Sequence, residues 1–170
     1  FANPVVDETH RGMYASAVEE VDWSVGEILR ELADQGLDGS TLVIFTSDNG
    51  PWRQAVTWYG EPTGSALPLR GWKAETWEGG MRVPAVMRWP GRLPAGARCR
   101  RLAGTIDLLP TLAGLAGAPL PAGPGHKIDG LDISSLLFRP DAPSPHDYFY
   151  YYDGDTALLE AVSDAEGWKL

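Results

Sequence analysis

Residues 41–50 read Thr41-Leu42-Val43-Ile44-Phe45-Thr46-Ser47-Asp48-Asn49-Gly50. An apolar run this short, closed by polar residues and a glycine, reads as a β-strand buried on both faces. Ligands of open α/β sheets gather just beyond the carboxyl ends of such strands. Asp48 and Asn49 put a carboxylate and an amide at that point. Asp-Asn-Gly is equally ordinary turn chemistry, so by itself the stretch leaves a site and a plain loop both open.

Upstream of it, residues 10–33 carry a helical pattern. Tyr14, Ala17, Val18, Val21, Val25, Ile28, Leu29 and Leu32 recur at the spacing of one helix face, with Glu19, Glu20, Glu27, Arg30 and Glu31 on the others. Gly36 suits the left-handed position that closes such a helix. A helix leading within a few residues into a buried strand is half of a βαβ unit. The missing strand of that unit, a chain beginning at Phe1 rather than Met, and an ending at Trp168-Lys169-Leu170 create the expectation of a piece of a longer protein.

Downstream, residues 51–80 lack periodicity and carry Pro51, Pro62 and Pro68. Long structureless connections are commonly functional or disordered. Four of the seven tryptophans, Trp52, Trp58, Trp72 and Trp77, fall here, and disordered segments are poor in aromatics. A pocket-lining loop is therefore expected. A strand over 82–89, a turn at Pro90-Gly91 and a helix over 108–116 follow, the helix N-capped by Asp107 and closed by Gly117. One helical turn is expected at 133–138. Aromatic and apolar strands at 148–152 and 158–162 then replace helix–strand alternation, marking a small antiparallel subdomain.

The totals set limits. With 170 residues, 44% hydrophobic and 22% charged, the chain can hold a real core. The formal charge is -9, and the basic residues are scattered except at Arg98, Arg100 and Arg101, so nucleic acid is not the expected partner. No apolar stretch reaches the ~18 residues of a membrane span. Cys99 is the sole cysteine, so no internal disulfide forms, and no base is paired with it in sequence. His10, His126 and His146 have no metal-ligand spacing and read as structural or surface residues.

Three places carry chemistry. Asp48 and Asn49 offer hard oxygen atoms, which suit calcium or magnesium better than zinc. Two ligands do not complete a calcium shell of about six to eight oxygens. Lys73, in a loop rich in Gly and Trp, can meet an anionic group as a point charge; an isolated lysine is otherwise a solvated surface residue. Glu78, Gly79 and Gly80 read as a structural loop near the site, since adjacent glycines allow backbone shapes closed to other residues.

The ordered set Ser47-Asp-Asn-Gly-Pro51, Leu69-Arg-Gly-Trp-Lys73, Glu78-Gly-Gly-Met-Arg-Val-Pro84 and Trp89-Pro-Gly91 resembles the arylsulfatase family. Thr105-Ile-Asp-Leu-Leu-Pro-Thr-Leu112 and Asp129-Gly-Leu-Asp-Ile133 are similar to later landmarks of that family. The resemblance implies a partial alkaline-phosphatase-like (sulfatase) α/β fold, with a mostly parallel sheet flanked by helices. Residues 1–145 would be the C-terminal part of the catalytic domain and 146–170 the start of the antiparallel subdomain. It implies a calcium-dependent hydrolase of sulfate esters, acting on a sulfated small molecule or carbohydrate. Asp48 and Asn49 match two of the family's calcium ligands, and Lys73 matches its sulfate-holding lysine.

The family's nucleophile is a formylglycine made within Cys/Ser-x-Pro/Ala-x-Arg. Cys99-Arg-Arg-Leu-Ala does not match it, and neither does any other segment, so the chain alone is expected to be inactive. Ser163 stands where the family often has Arg. Export to the periplasm, the outside or the lysosome is family habit only. Two rivals remain: a superfamily phosphatase or phosphodiesterase, against which Asn49 argues because such relatives commonly carry His there, and a non-catalytic binding protein of the same fold.

Overall fold

The computed structural model describes residues 12–52, 64–123 and 125–170. His10, Trp58, Pro62 and the middle of the expected pocket loop lie outside the described residues. The chain divides into two compact units, residues 1–90 and 91–170.

In the first unit, α1 spans Gly12–Asp34. Gly36 closes it at φ +69°, with Leu37 N–H reaching back to the Leu32 carbonyl at 2.8 Å, the pattern a left-handed C′ glycine permits. A 3-10 turn, Asp38–Ser40, leads into β1, Val43–Thr46. A four-residue helix, α2, spans Glu78–Met81, and β2 spans Ala85–Arg88. β1 and β2 pair antiparallel, Val43 opposite Arg88 and Thr46 opposite Ala85.

Two expectations change here. β1 is not buried on both faces, since Phe45 and Thr46 are exposed. The mostly parallel sheet is also not what the described residues form, because both of their two-stranded sheets are antiparallel. A parallel neighbour of β1 needs a crossover connection such as α1 provides. On the apolar stripe of α1, Val18 is 51% and Ile28 55% exposed.

The β1–β2 pair is fastened at one end. The Arg88 guanidinium meets the Asp38 carboxylate at 2.5 and 3.0 Å, the two-pronged geometry that favours this pair. Trp89 Nε1–H donates to the Gly39 carbonyl at 3.0 Å. The end of β2 is thus tied to the turn that feeds β1.

The second unit contains α3, Leu108–Ala116, α4, Ser134–Phe138, and a hairpin of β3, Tyr148–Tyr152, with β4, Leu159–Asp164. Gly117 ends α3 at φ +66°, as expected. The chain end pairs onto β4, Val162 and Leu170 exchanging main-chain hydrogen bonds at 2.9 Å. Ile133, Leu136 and Tyr151 are buried in this unit. Ser163 is buried too, its hydroxyl 3.2 Å from the Tyr151 phenol oxygen.

Asp107 departs from its sequence reading, and His146 takes a buried structural place beside it. Asp107 makes no side-chain cap on α3. Its fully buried carboxylate accepts the N–H groups of Gly104 at 2.7 Å and Leu131 at 2.8 Å. His146, also buried, sets Nε2 2.8 and 2.9 Å from the two carboxylate oxygens. Beside this pair Thr111 Oγ1 accepts the Ile133 N–H at 3.0 Å. Three stretches of chain, 104–111, 131–133 and the one at His146, are joined through the side chains of Asp107, Thr111 and His146, because buried polar groups need partners. His146 was not identifiable from spacing, as Asp107 stands 39 residues away in sequence.

Candidate functional site

Beyond Thr46 the chain bends sharply. Ser47 Oγ–H donates to the Asn49 carbonyl, and Asn49 Nδ2–H donates to the Gly50 carbonyl, both at 2.9 Å. The second contact spends the amide's donor end and leaves Oδ1 as its free oxygen. Asp48 is exposed, and its carboxylate makes no hydrogen bond to any described residue.

The bend is held by main chain. Gly50 N–H donates to the Gly80 carbonyl at 2.9 Å, and Gly79 N–H to the Arg70 carbonyl at 2.6 Å. The approach is closer than any side chain allows. A Cβ on Gly50 would lie 1.8 Å from the Gly79 carbonyl oxygen, and one on Gly79 2.2 Å from that of Gly71. A Cβ on Gly80 would stand 2.2 Å from the carbonyl oxygens of both Glu75 and Trp72. Glycine is the residue for backbone meeting backbone at this range. Gly50, read from sequence only as a turn residue, is as necessary as Gly79 and Gly80, and only the contact across the loop reveals it.

Lys73 is brought to the same place. Its N–H donates to the Pro51 carbonyl at 2.8 Å, two residues past Asn49. Glu75 N–H to the Trp72 carbonyl at 3.0 Å closes a turn with Lys73 and Ala74 at its centre. Ala74 takes φ +71°, a left-handed conformation that costs a residue with a Cβ about 1–2 kcal/mol. The Lys73 ammonium lies 5.8 Å from the centre of the Trp52 ring, and the Arg70 guanidinium 3.8 Å from that of Trp77. Two of the loop's tryptophans therefore face cations, and Lys73 itself is exposed.

Among the described residues no three His, Cys, Asp or Glu side chains converge on a metal position. Asp48 and Asn49 still fit a hard cation as a donor set: one unengaged carboxylate and one free amide oxygen on adjacent residues, at a bend fixed by buried Gly50. Two such donors would supply only part of a coordination shell.

A family model described as Sulfatase matches residues 3–118. The chain belongs to the sulfatase family. This sulfatase chain is 42% identical to Homo sapiens steryl-sulfatase over 156 residues, covering 91% of the chain and 26% of that protein. The PsFucS1 sulfatase from Pseudoalteromonas sp. superposes with a TM-score of 0.74 at 32% identity, over 87% of this chain and 28% of that one. The structure of Ps i-CgsB matches with a TM-score of 0.76 at 29% identity, over 95% of this chain and 34% of that one; it has also been solved in complex with k-i-k-neocarrahexaose. The chain spans about a quarter of the length of the curated relatives it matches. These neighbours carry the alkaline-phosphatase-like fold into which the described elements fit.

Proposed function

We propose that the strand-end bend and the Lys73 turn are the two halves of a sulfate-handling centre in a calcium-dependent sulfatase. The observation that carries this reading is the hydrogen bond from Lys73 N–H to the Pro51 carbonyl at 2.8 Å. It ties the turn bearing the only lysine of the loop to the residues following Asp48 and Asn49. Asp48 and the free oxygen of Asn49 would hold calcium with ligands from outside these 170 residues. Calcium, when bound, supplies positive charge that draws electron density from the sulfate oxygens. The Lys73 ammonium holds the sulfate group and stabilises the charge that develops as the ester bond breaks. The Trp52 ring faces that ammonium at 5.8 Å. Asp48 and Lys73 are both exposed in the described chain, so the nucleophile would approach from elsewhere. The formylglycine belongs to that outside part, since no segment here has its motif. A sulfated small molecule or carbohydrate is the substrate class, in keeping with the sulfatases this chain resembles.

The test uses the chain joined to a sulfatase N-terminal segment that carries formylglycine, assayed on an aryl sulfate. Lys73→Ala is expected to lower kcat by about 10²–10³, the usual cost of losing one charge-stabilising donor. Chelation should abolish turnover and calcium restore it. Activity restored by zinc alone, with phosphate esters preferred, would move the protein to the phosphatase branch of the superfamily.

A further inference from the structure

Arg98, Arg100 and Arg101 lie outside the Lys73 loop. In the second unit they line one open cleft with Pro140, Asp141 and Glu166, of about 420 Å³. That volume falls within the ~300–1,000 Å³ of small-molecule sites. All three arginines are exposed, in a chain with 23 acidic and 14 basic residues. Such a chain has carboxylates to spare, yet among the described residues none pairs with Arg98, Arg100 or Arg101. Arg101 is held instead by a neutral group, its guanidinium donating to the Asp141 carbonyl at 3.3 Å. That contact fixes one edge of the fork and leaves its charge unneutralised.

We propose that this cleft is a second binding site, for the sulfate ester of a saccharide. Guanidinium forks match tetrahedral oxyanions with paired, charge-assisted hydrogen bonds. Asp141 and Glu166 line the same cleft, and carboxylates accept hydrogen bonds from hydroxyl groups while repelling a bare anion. A ligand that carries both an anionic group and hydroxyls satisfies both kinds of residue. The proposal goes beyond the reading of the Lys73 turn and does not depend on it.

Calorimetric titration of the full 170-residue chain with a 6-O-sulfated disaccharide tests it, run beside the desulfated sugar and inorganic sulfate. Saccharide binding should weaken on raising salt, because exposed charges are screened. Arg100→Ser and Arg101→Ser should each weaken it about tenfold or more, the factor that a lost charge-assisted pair supplies. Lys127→Ser, which removes one charge from a residue outside the cleft lining, should leave binding within about twofold, a change worth well under 1 kcal/mol. Circular dichroism of the variants checks folding, and the substituted arginines are all on the surface. Equal binding of the desulfated sugar or indifference to both Arg substitutions would each overturn the proposal. So would inorganic sulfate binding as tightly as the sugar, which marks an adventitious ion only. Failure of sulfatase turnover with intact cleft binding would count against the Lys73 reading alone.

Discussion

Gly79 shows how much one missing Cβ does. Its N–H reaches the Arg70 carbonyl, and the space where a methyl would sit is held by the Gly71 carbonyl oxygen. Gly79→Ala must push two backbone segments apart, and overpacking of that kind costs about 1–3 kcal/mol. The cost should appear as a lower denaturant midpoint, together with faster proteolysis of the 70–80 loop. A midpoint equal to the parent's would show that the close approach does not exist in solution. The Gly-Gly pair and Lys73 were legible as singular in the sequence. Gly50 and the left-handed Ala74 were not, because neither has a local signature; each follows from where another loop lies.

Among the elements, β2 depends on a fastening that titrates. Arg88 hydrogen-bonded to Asp38 holds that carboxyl below its ordinary range. A carboxyl with a lowered folded-state pKa adds stability that is full above the unfolded value of about 3.9 and is lost as pH falls through the lowered one. Melting of the parent and Asp38→Asn should therefore differ at pH 7 and converge as pH drops below about 4. High salt should shrink the pH 7 difference, as befits an exposed pair. A gap that persists at pH 2 would remove the ion pair as its cause. Asp153, lowered by hydrogen bonds from Thr156 and Asp155, titrates in the same direction within the β3–β4 loop, so the comparison must be between variants rather than between pH values. Elements themselves were well placed by periodicity: α1, α3 and the paired hairpin strands stand close to their expected bounds. Pairing was not, since β1 joins β2 antiparallel and hydrophobic pattern does not encode a strand's neighbour.

At the scale of the whole molecule, apolar surface is left over. Tyr14, Val18, Val21 and Ile28 of α1 stand about half open, and Tyr148, Tyr150 and Tyr152 line one exposed face of β3. Contiguous apolar patches of this kind bind dyes and promote association. The 170-residue chain is expected to enhance ANS fluorescence at neutral pH and to self-associate in concentration-dependent light scattering. Val18→Glu with Ile28→Lys should reduce both. A monodisperse, ANS-silent parent chain would mean that these faces are covered in a way the described contacts lack. Among the described residues no helix is long and apolar enough to cross a membrane.

The sequence by itself determined the family, the helices and the candidate chemical groups. Ordered short motifs and helical periodicity are local properties of the chain, and so are the identities of Asp48, Asn49 and Lys73. Tertiary structure alone decided what those groups stand beside. The approach of Gly50 to Gly79 and Gly80, the hydrogen bond from Lys73 to Pro51, and the buried union of Asp107 with His146 join residues about 20 to 40 positions apart. Such contacts arise because backbone and buried polar groups must find partners across the fold, and no spacing along the chain announces which partner will be there.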